Sequence, residues 1–247
     1  MPVVHGIWNM STTGNSQRVA VVVGASSGIG DATATLLQAK GISTIRLARR
    51  LENSDSTRCC DVRDEYAVKD VFLELASQFG RLDILINCAG IASPASDPLM
   101  HEKEEWETIF QTNLFGTYFC CKYAIPIMKR HKYGRIVNLS SIAGRSYSKT
   151  ASLPYTCSKY GVIGLTRQLA ANFGEDGITI NCVSPSHTKS EMLLANVSQE
   201  QIDSLSTAVP LRRLAEPGEV AQTICFLVSE AASYITGAVV DVNGGQL

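Results

Sequence analysis

Tyr155 and Lys159 stand at i and i+4 in a segment of helical period, which puts both side chains on one face of a helix. A free phenol titrates near pH ~10 and exchanges protons poorly at neutrality. An ammonium a few ångströms away favours the phenolate, so this spacing offers a group that can give and take a proton near pH 7. Taken alone, Y-x-x-x-K is a frequent accident of exposed helices. Here it follows a strand-like run, Arg135 to Leu139, that leads into Asn138-Leu139-Ser140-Ser141. Open α/β sheets gather ligand-binding residues at the carboxyl ends of their strands, where Ser141 falls. The spacing to Tyr155 and the following Ile142-Ala143-Gly144 select Ser141 over Ser140, which is expected to turn inward.

A second cluster opens the chain's first apolar run: Val23-Gly24-Ala25-Ser26-Ser27-Gly28-Ile29-Gly30, followed by a helical pattern from Ala32 to Lys40. Glycines between a strand and a helix let backbone N–H groups approach a pyrophosphate, where the helix dipole favours negative charge. Tight turns need glycine for other reasons too. The strand before and the helix after are what point to a dinucleotide. The next strand ends in Leu47-Ala48-Arg49-Arg50, with no carboxylate to bond a ribose 2′-hydroxyl and two guanidiniums suited to a 2′-phosphate. NADP(H) is therefore expected ahead of NAD(H), with Arg49 as primary contact and Arg50 stacking on adenine. The competing reading is a pair of solvated strand-end arginines.

These residues need elements to hold them. Continuous apolar runs at Val19 to Val23, Ser43 to Leu47, Leu82 to Asn87, Arg135 to Leu139, Thr179 to Val183 and Ala238 to Val242 read as strands covered on both faces, with a short one ending at Cys60. Helical patterns lie between them at 30–40, 64–79, 103–130, 156–174 and 217–229. The alternation predicts a Rossmann-type doubly wound parallel sheet, three layers α/β/α, in a single domain. Residues 1–17 read as a flexible leader and 18–247 as the domain.

Several further segments, in order and in register, resemble the short-chain dehydrogenases/reductases of the classical type. The G-x-x-x-G-x-G turn matches that family's nucleotide-binding turn. Leu85-Ile86-Asn87-Cys88-Ala89-Gly90 is similar to its N-N-A-G motif, with Cys88 in place of the second Asn. Thr112-Asn113-Leu114 resembles its helix Asn, and Ser141 with Tyr155-Thr156-Cys157-Ser158-Lys159 its Ser and Y-x-x-x-K. Asn181-Cys182-Val183-Ser184-Pro185 resembles N-x-V-x-P-G with Ser186 for Gly, and Val242-Asn243-Gly244-Gly245 a terminal V-D-G-G.

The resemblance implies a catalytic tetrad of Asn113, Ser141, Tyr155 and Lys159. Ser141 would polarise a substrate carbonyl, and Tyr155 would serve as general acid in reduction and general base in oxidation. Asn113, a poor helix former, would bond the helix backbone and a water linked to Lys159. The implied cofactor contacts are Gly24, Ser26, Ser27, Gly28, Ile29, Gly30, Arg49 and Arg50. Asp61 and Val62 would lie at the adenine, Asn87, Ala89 and Gly90 at the ribose, Pro185 and Thr188 near the carboxamide or phosphates, and Tyr155 and Lys159 at the nicotinamide end.

Composition narrows the rest. Of the 247 residues, 22 are Lys or Arg and 23 are Asp or Glu, a net charge of −1 that marks no nucleic-acid or membrane binder. The eight cysteines form no C-x-x-C pair, and most sit in apolar runs, as reduced, buried residues of a cytoplasmic protein do. No metal site is expected. The substrate walls are expected from Ile91 to Pro98, Arg145 to Pro154 and His187 to Gln201, with Met192, Leu193 and Leu194 giving a partly apolar pocket and His187 an ordinary loop residue. The reaction ranked first is carbonyl–alcohol interconversion on a small free substrate. A 3-oxoacyl-[acyl-carrier-protein] reductase ranks second. Lys129, Arg130 and Lys132 offer a basic docking patch at the site mouth, but Glu175 and Asp176 oppose an acidic carrier. A catalytically silent NADP(H)-binding regulator ranks last, because the tetrad is complete. Surplus apolar stripes on the Phe110 to Met128 segment and the Tyr155 helix predict a homotetramer ahead of a homodimer.

Overall fold

The computed structural model describes residues 17–190, 193 and 198–247. Of the expected leader only Gln17 is among them, its amide donating to Gly41 O at 2.8 Å; residues 1–16, Met192 and Leu194 lie outside the described residues. The chain runs β1 (Val19–Val23), α1 (Gly28–Ala39), β2 (Ser43–Ala48), β3 (Thr57–Cys59), α2 (Glu65–Phe79), β4 (Ile84–Asn87) and α3 (Lys103–Phe110). It continues through a π-helical turn (Gln111–Phe115) into α4 (Gly116–Arg130), β5 (Gly134–Leu139), α5 (Leu153–Phe173), β6 (Ile178–Pro185), α6 (Gln199–Ala208), α7 (Pro217–Leu227) and β7 (Val239–Val242).

The strands form one seven-stranded sheet in the order β3-β2-β1-β4-β5-β6-β7, parallel at every pairing. Side chains alternate across it as a strand's period of two requires. Val19, Val21 and Val23 join Val68, Phe72, Cys120, Cys121, Ile125 and Ala170 in a core under α2, α4 and α5. Ala20 and Val22 join Ala34, Leu37, Val220 and Ile224 in a second core under α1 and α7. The sheet is thus the middle of three layers, and the expected doubly wound, single-domain fold is what the chain adopts.

Two expected elements differ. The 103–130 helix is split by the π turn, because one residue beyond the α-helical repeat shifts the faces of α3 and α4 relative to each other. The Tyr155 helix starts at Leu153 rather than Thr156, since Ser152 caps it and Pro154 fits its first turn without losing a bond. α6 was not foreseen: it buries no residue, so it carries no apolar stripe to read, although Ser198 and Gln201 form a capping box at its start.

At the amino end of the sheet, Asp83 is fully buried. It accepts from Val19 N at 2.8 Å and from Arg81 Nε and a terminal guanidinium nitrogen at 2.9 and 2.6 Å. This carboxylate fixes where β1 and β4 begin, and so the register of their carboxyl ends. Asp83→Ala leaves a buried N–H and a guanidinium short of an acceptor, and is expected to lower stability by about 1–3 kcal/mol. Urea denaturation at fixed protein concentration measures it, and a loss within error of zero removes Asp83 from this role.

Candidate active site

β1 and β4 leave the sheet side by side, and their exits nearly touch. A methyl on Gly24, which has φ +77°, would lie 2.6 Å from Ala89 N, and one on Gly30 would lie 2.3 Å from Gly24 O. Only glycines permit this turn. Gly28, also at positive φ, opens α1, and Ser27 at its N-cap places no side chain over the helix's first N–H groups. Those donors remain available to an anion. Asp31 in the same turn would oppose one, but Arg46 pairs with it, while also bonding Thr35 and Ala25 O. The cradle fits a pyrophosphate.

The remaining expected cofactor contacts divide. Ser26 is exposed and Ile29 half-buried, packed on the α1 side of the core. Arg49 and Arg50 are exposed in the turn after β2. Asp61 bonds Arg63 through both carboxylate oxygens, and this bond, aided by the charges of Arg63 and Arg49, holds its carboxyl below the usual range. Val62 is buried with its Cγ2 against Gly116, so only its backbone can face the groove. Asn87 likewise turns its side chain inward, donating to Asn138 Oδ1 at 2.8 Å. Thr188 is buried, its hydroxyl donating to Ser186 O at 3.2 Å, just beyond Pro185 at the end of β6. Ser190, which the motif reading passed over, is the residue nearest Gly28: a methyl there would lie 3.5 Å from Ser190 Cβ.

Asn113, Tyr155 and Lys159 are neighbours, and Ser141 follows the end of β5, whose Leu139 O meets Lys159. α5 carries Tyr155 half-buried and Lys159 buried, with Lys159 Nζ 5.6 Å from the Tyr155 ring centre and donating to Leu139 O at 2.9 Å. Asn113 sits on the π turn, fully buried. Its amide accepts from Ile91 N and donates to Ile91 O, both at 2.9 Å, and donates to Ser158 Oγ at 3.0 Å. The backbone that its side chain meets is that of Ile91, in the loop after β4. Asn113 Oδ1 and Lys159 Nζ converge on Gly90, each 3.4 Å from where a methyl would stand. Ser158 was not singled out either. It links Asn113 to the Tyr155 carbonyl at 2.7 Å.

Ser140 is the inward hydroxyl, bonded to Lys159 O at 2.9 Å. Ser141 caps the short turn Ile142–Gly144, accepting from Ala143 N at 3.2 Å, and is half-exposed. Cys88 lies under the site with its thiol pushed up to about 12 by burial, against the pull of Lys159, so it stays protonated at neutral pH. His187 touches Thr150 Oγ1 at 3.2 Å, and burial lowers its pKa, which keeps the ring neutral. Among the described residues no cluster of His, Cys, Asp or Glu could hold a metal, and no helix is long and apolar enough to cross a membrane.

The expected basic docking patch is displaced. Lys129, Arg130 and Lys132 stand where α4 returns the chain to the start of β5, at the amino edge of the sheet, with Glu175 and Asp176 before β6 at the same edge. Lys129 is paired with Asp176 at 3.0 Å. Within one chain, neither charge group borders the catalytic end.

Residues 24–246 match the family described as enoyl-(acyl carrier protein) reductase. The chain is 36% identical to a cis-4-hydroxycyclohexanecarboxylate dehydrogenase of Sinomonas cyclohexanicum, over 93% of this chain and 96% of that one. It is 37% identical to a 3-oxoacyl-[acyl-carrier-protein] reductase of Staphylococcus aureus, over 92% and 97% respectively. The solved structure of ElxO with NADP bound superposes with a TM-score of 0.88 at 32% identity, covering 93% of this chain and 98% of that one. A parallel sheet with a glycine cradle at β1, the neighbouring Tyr155, Lys159 and Asn113 beside the ends of β4 and β5, and relatives of this kind over nearly the whole length have one meaning: the chain is an oxidoreductase of the short-chain dehydrogenase/reductase family.

Proposed function

We propose that the protein interconverts a carbonyl and an alcohol on a small free substrate, using NADP(H), with Tyr155 moving the proton. The meeting of Asn113 and Lys159 at Gly90, with the Tyr155 ring 5.6 Å from the same Lys159 Nζ, carries this reading. When bound, the cofactor supplies or accepts the hydride. The glycine cradle and the open start of α1 hold its pyrophosphate, and Arg49 and Arg50 its 2′-phosphate. NADP in the related ElxO structure supports the choice of phosphate form.

The chain's own residues handle the proton. Ser141 Oγ donates to the substrate oxygen and fixes its position. Tyr155 Oη gives that oxygen its proton in reduction and takes it back in oxidation. The buried Lys159 ammonium, held by Leu139 O, faces the negative charge left on the phenolate. Asn113 keeps Ile91 and Ser158 in place around that ammonium.

The Staphylococcus aureus relative supports a second reading, reduction of 3-oxoacyl groups on acyl carrier protein. The displaced and partly neutralised Lys129 cluster argues for the free substrate. We also propose that the chain assembles. Phe115, Tyr118 and Tyr160 remain 42%, 39% and 49% exposed on α4, the turn before it, and α5, although Phe119, Tyr123, Leu169 and Phe173 pack inward. Among the described residues, β7 is an edge strand with β6 as its one partner. A two-fold contact through these helices, and a second through β7, would give a homotetramer.

Three outcomes follow. Tyr155→Phe is expected to keep the fold and cofactor affinity while kcat falls by about 10²–10⁴ on a carbonyl compound the wild type reduces; near-normal kcat means another group moves the proton. Arg49→Asp is expected to weaken NADPH binding by roughly 10–100-fold, as loss of charge-assisted phosphate bonds does, with little change for NADH. Calorimetry on both cofactors decides, and wild-type binding of NADH as tight as NADPH reverses the assignment. Sedimentation at micromolar concentration is expected to give four times the 26.7 kDa chain mass. A single species at the mass of one chain refutes assembly.

A further inference from the structure

The loop leaving β4 and the start of α5 are joined by a seam. Ser152 N–H donates to Ser93 O at 3.0 Å and Ala95 N–H to Thr150 O at 3.2 Å, and Pro94 pairs with Ala151 in an isolated bridge. Inside the seam, Ser93 Oγ lies 2.7 Å from Ser152 Oγ and 2.5 Å from Glu105 Oε1. Glu105, on α3, completes its contacts with His101 Nδ1 at 2.8 Å. Ser152 is 1% exposed and the His101 side chain 2%.

The carboxylate decides where the Ser93 proton goes. A hydroxyl has one proton to give, and an ionised carboxylate can only accept. The hydrogen bond from Ser93, and then that from His101, holds the Glu105 carboxyl below the usual carboxylate range, so it is ionised at neutral pH. Ser93 therefore gives its proton to Glu105. Ser93 Oγ also meets Ser152 Oγ at 2.7 Å, and a Ser152 lone pair accepts from Tyr155 N–H at 3.3 Å. That N–H is one of the first-turn donors a helix cannot satisfy from within. Two hydroxyls thus join the start of α5 to a charged carboxylate.

We propose that Glu105, acting through Ser93 and Ser152, is a positioning residue for Tyr155: it fixes the first turn of α5 and so the direction in which the phenol projects. The catalytic consequence rests on the reading of Tyr155 as proton donor, whereas the brace itself does not. None of these residues belongs to the glycine cradle or to the turn after β2, so cofactor binding is left aside by the brace.

The test compares Ser93→Ala and Glu105→Ala with the conservative Ser93→Thr and Glu105→Gln, which keep a hydroxyl and an acceptor oxygen. Amide hydrogen exchange of Tyr155 is followed by NMR on the full chain without substrate. In the alanine variants it is expected to run about tenfold faster, as for a first-turn N–H whose buried acceptor has lost its own partner, with Thr166 and Ala170 further along α5 unchanged. With NADPH and a carbonyl substrate, kcat is expected to fall by about tenfold while KM for NADPH stays within about twofold, and the conservative variants keep most of both. Unchanged exchange at Tyr155 in both alanine variants overturns the brace. Acceleration along all of α5, or a rise in KM for NADPH matching the fall in kcat, shows loss of structure instead and also overturns it. Faster exchange with unaltered kcat overturns the positioning role. Absence of turnover in the wild type counts against the reading of Tyr155, and the exchange rates still decide the brace. Should Ser93→Ala fail to fold, Glu105→Ala against Glu105→Gln carries the same comparison.

Discussion

One buried amide ties the working end of this molecule together. Asn113 lies at the junction of three segments that are distant in sequence: the loop after β4, the α3–α4 pair, and the first turns of α5. Both atoms of its carboxamide are used, and both backbone groups of Ile91 are answered by it. A buried polar group is costly unless its partners are complete, so the three segments have one arrangement in which none of them is left short. The π turn makes that arrangement possible. An extra residue in one helical turn aims Asn113 away from its own backbone, and such turns recur where a helix serves a site.

The electrostatics of the two sheet edges differ in kind. At the amino edge, several charges are paired: Asp83 with Arg81, Glu230 with Arg18 and Arg135, Lys129 with Asp176. At the carboxyl edge, Arg46 is answered by Asp31 but Arg49 and Arg50 stand exposed, and Lys159 is buried beside Gly90.

Much of this was legible in the sequence because strands buried on both faces have to be continuous apolar runs, and the first, Val19 to Val23, is nothing else. The pairing of Tyr155 with Lys159 was legible because its spacing is local. What escaped was whatever depended on side-chain direction. Asn87 and Val62 stand at the right places along the chain yet turn their side chains into the core, and no local pattern records that. Ser158, Ser190, Ser93 and Ser152 are small hydroxyls whose partners are remote or, like the Tyr155 N–H, invisible without a helix boundary. Ser152 alone carried a readable signal, a capping residue two before a proline. The Lys129 patch was misplaced for a topological reason: a helix that crosses back over a parallel sheet ends at the opposite edge from the site.

Gly144 sets a distance without carrying a functional group of its own. Its missing side chain lets the turn after Ser141 lie against the backbone of α5, where a methyl would stand 2.5 Å from Ser140 Oγ and 2.7 Å from Lys159 O. Ser140 bonds that same carbonyl. The turn that follows Ser141 and the helix that carries Tyr155 and Lys159 are thereby packed as one block. Any side chain larger than hydrogen at this position would part them, so the spacing between strand end and helix is held by an atom that is absent.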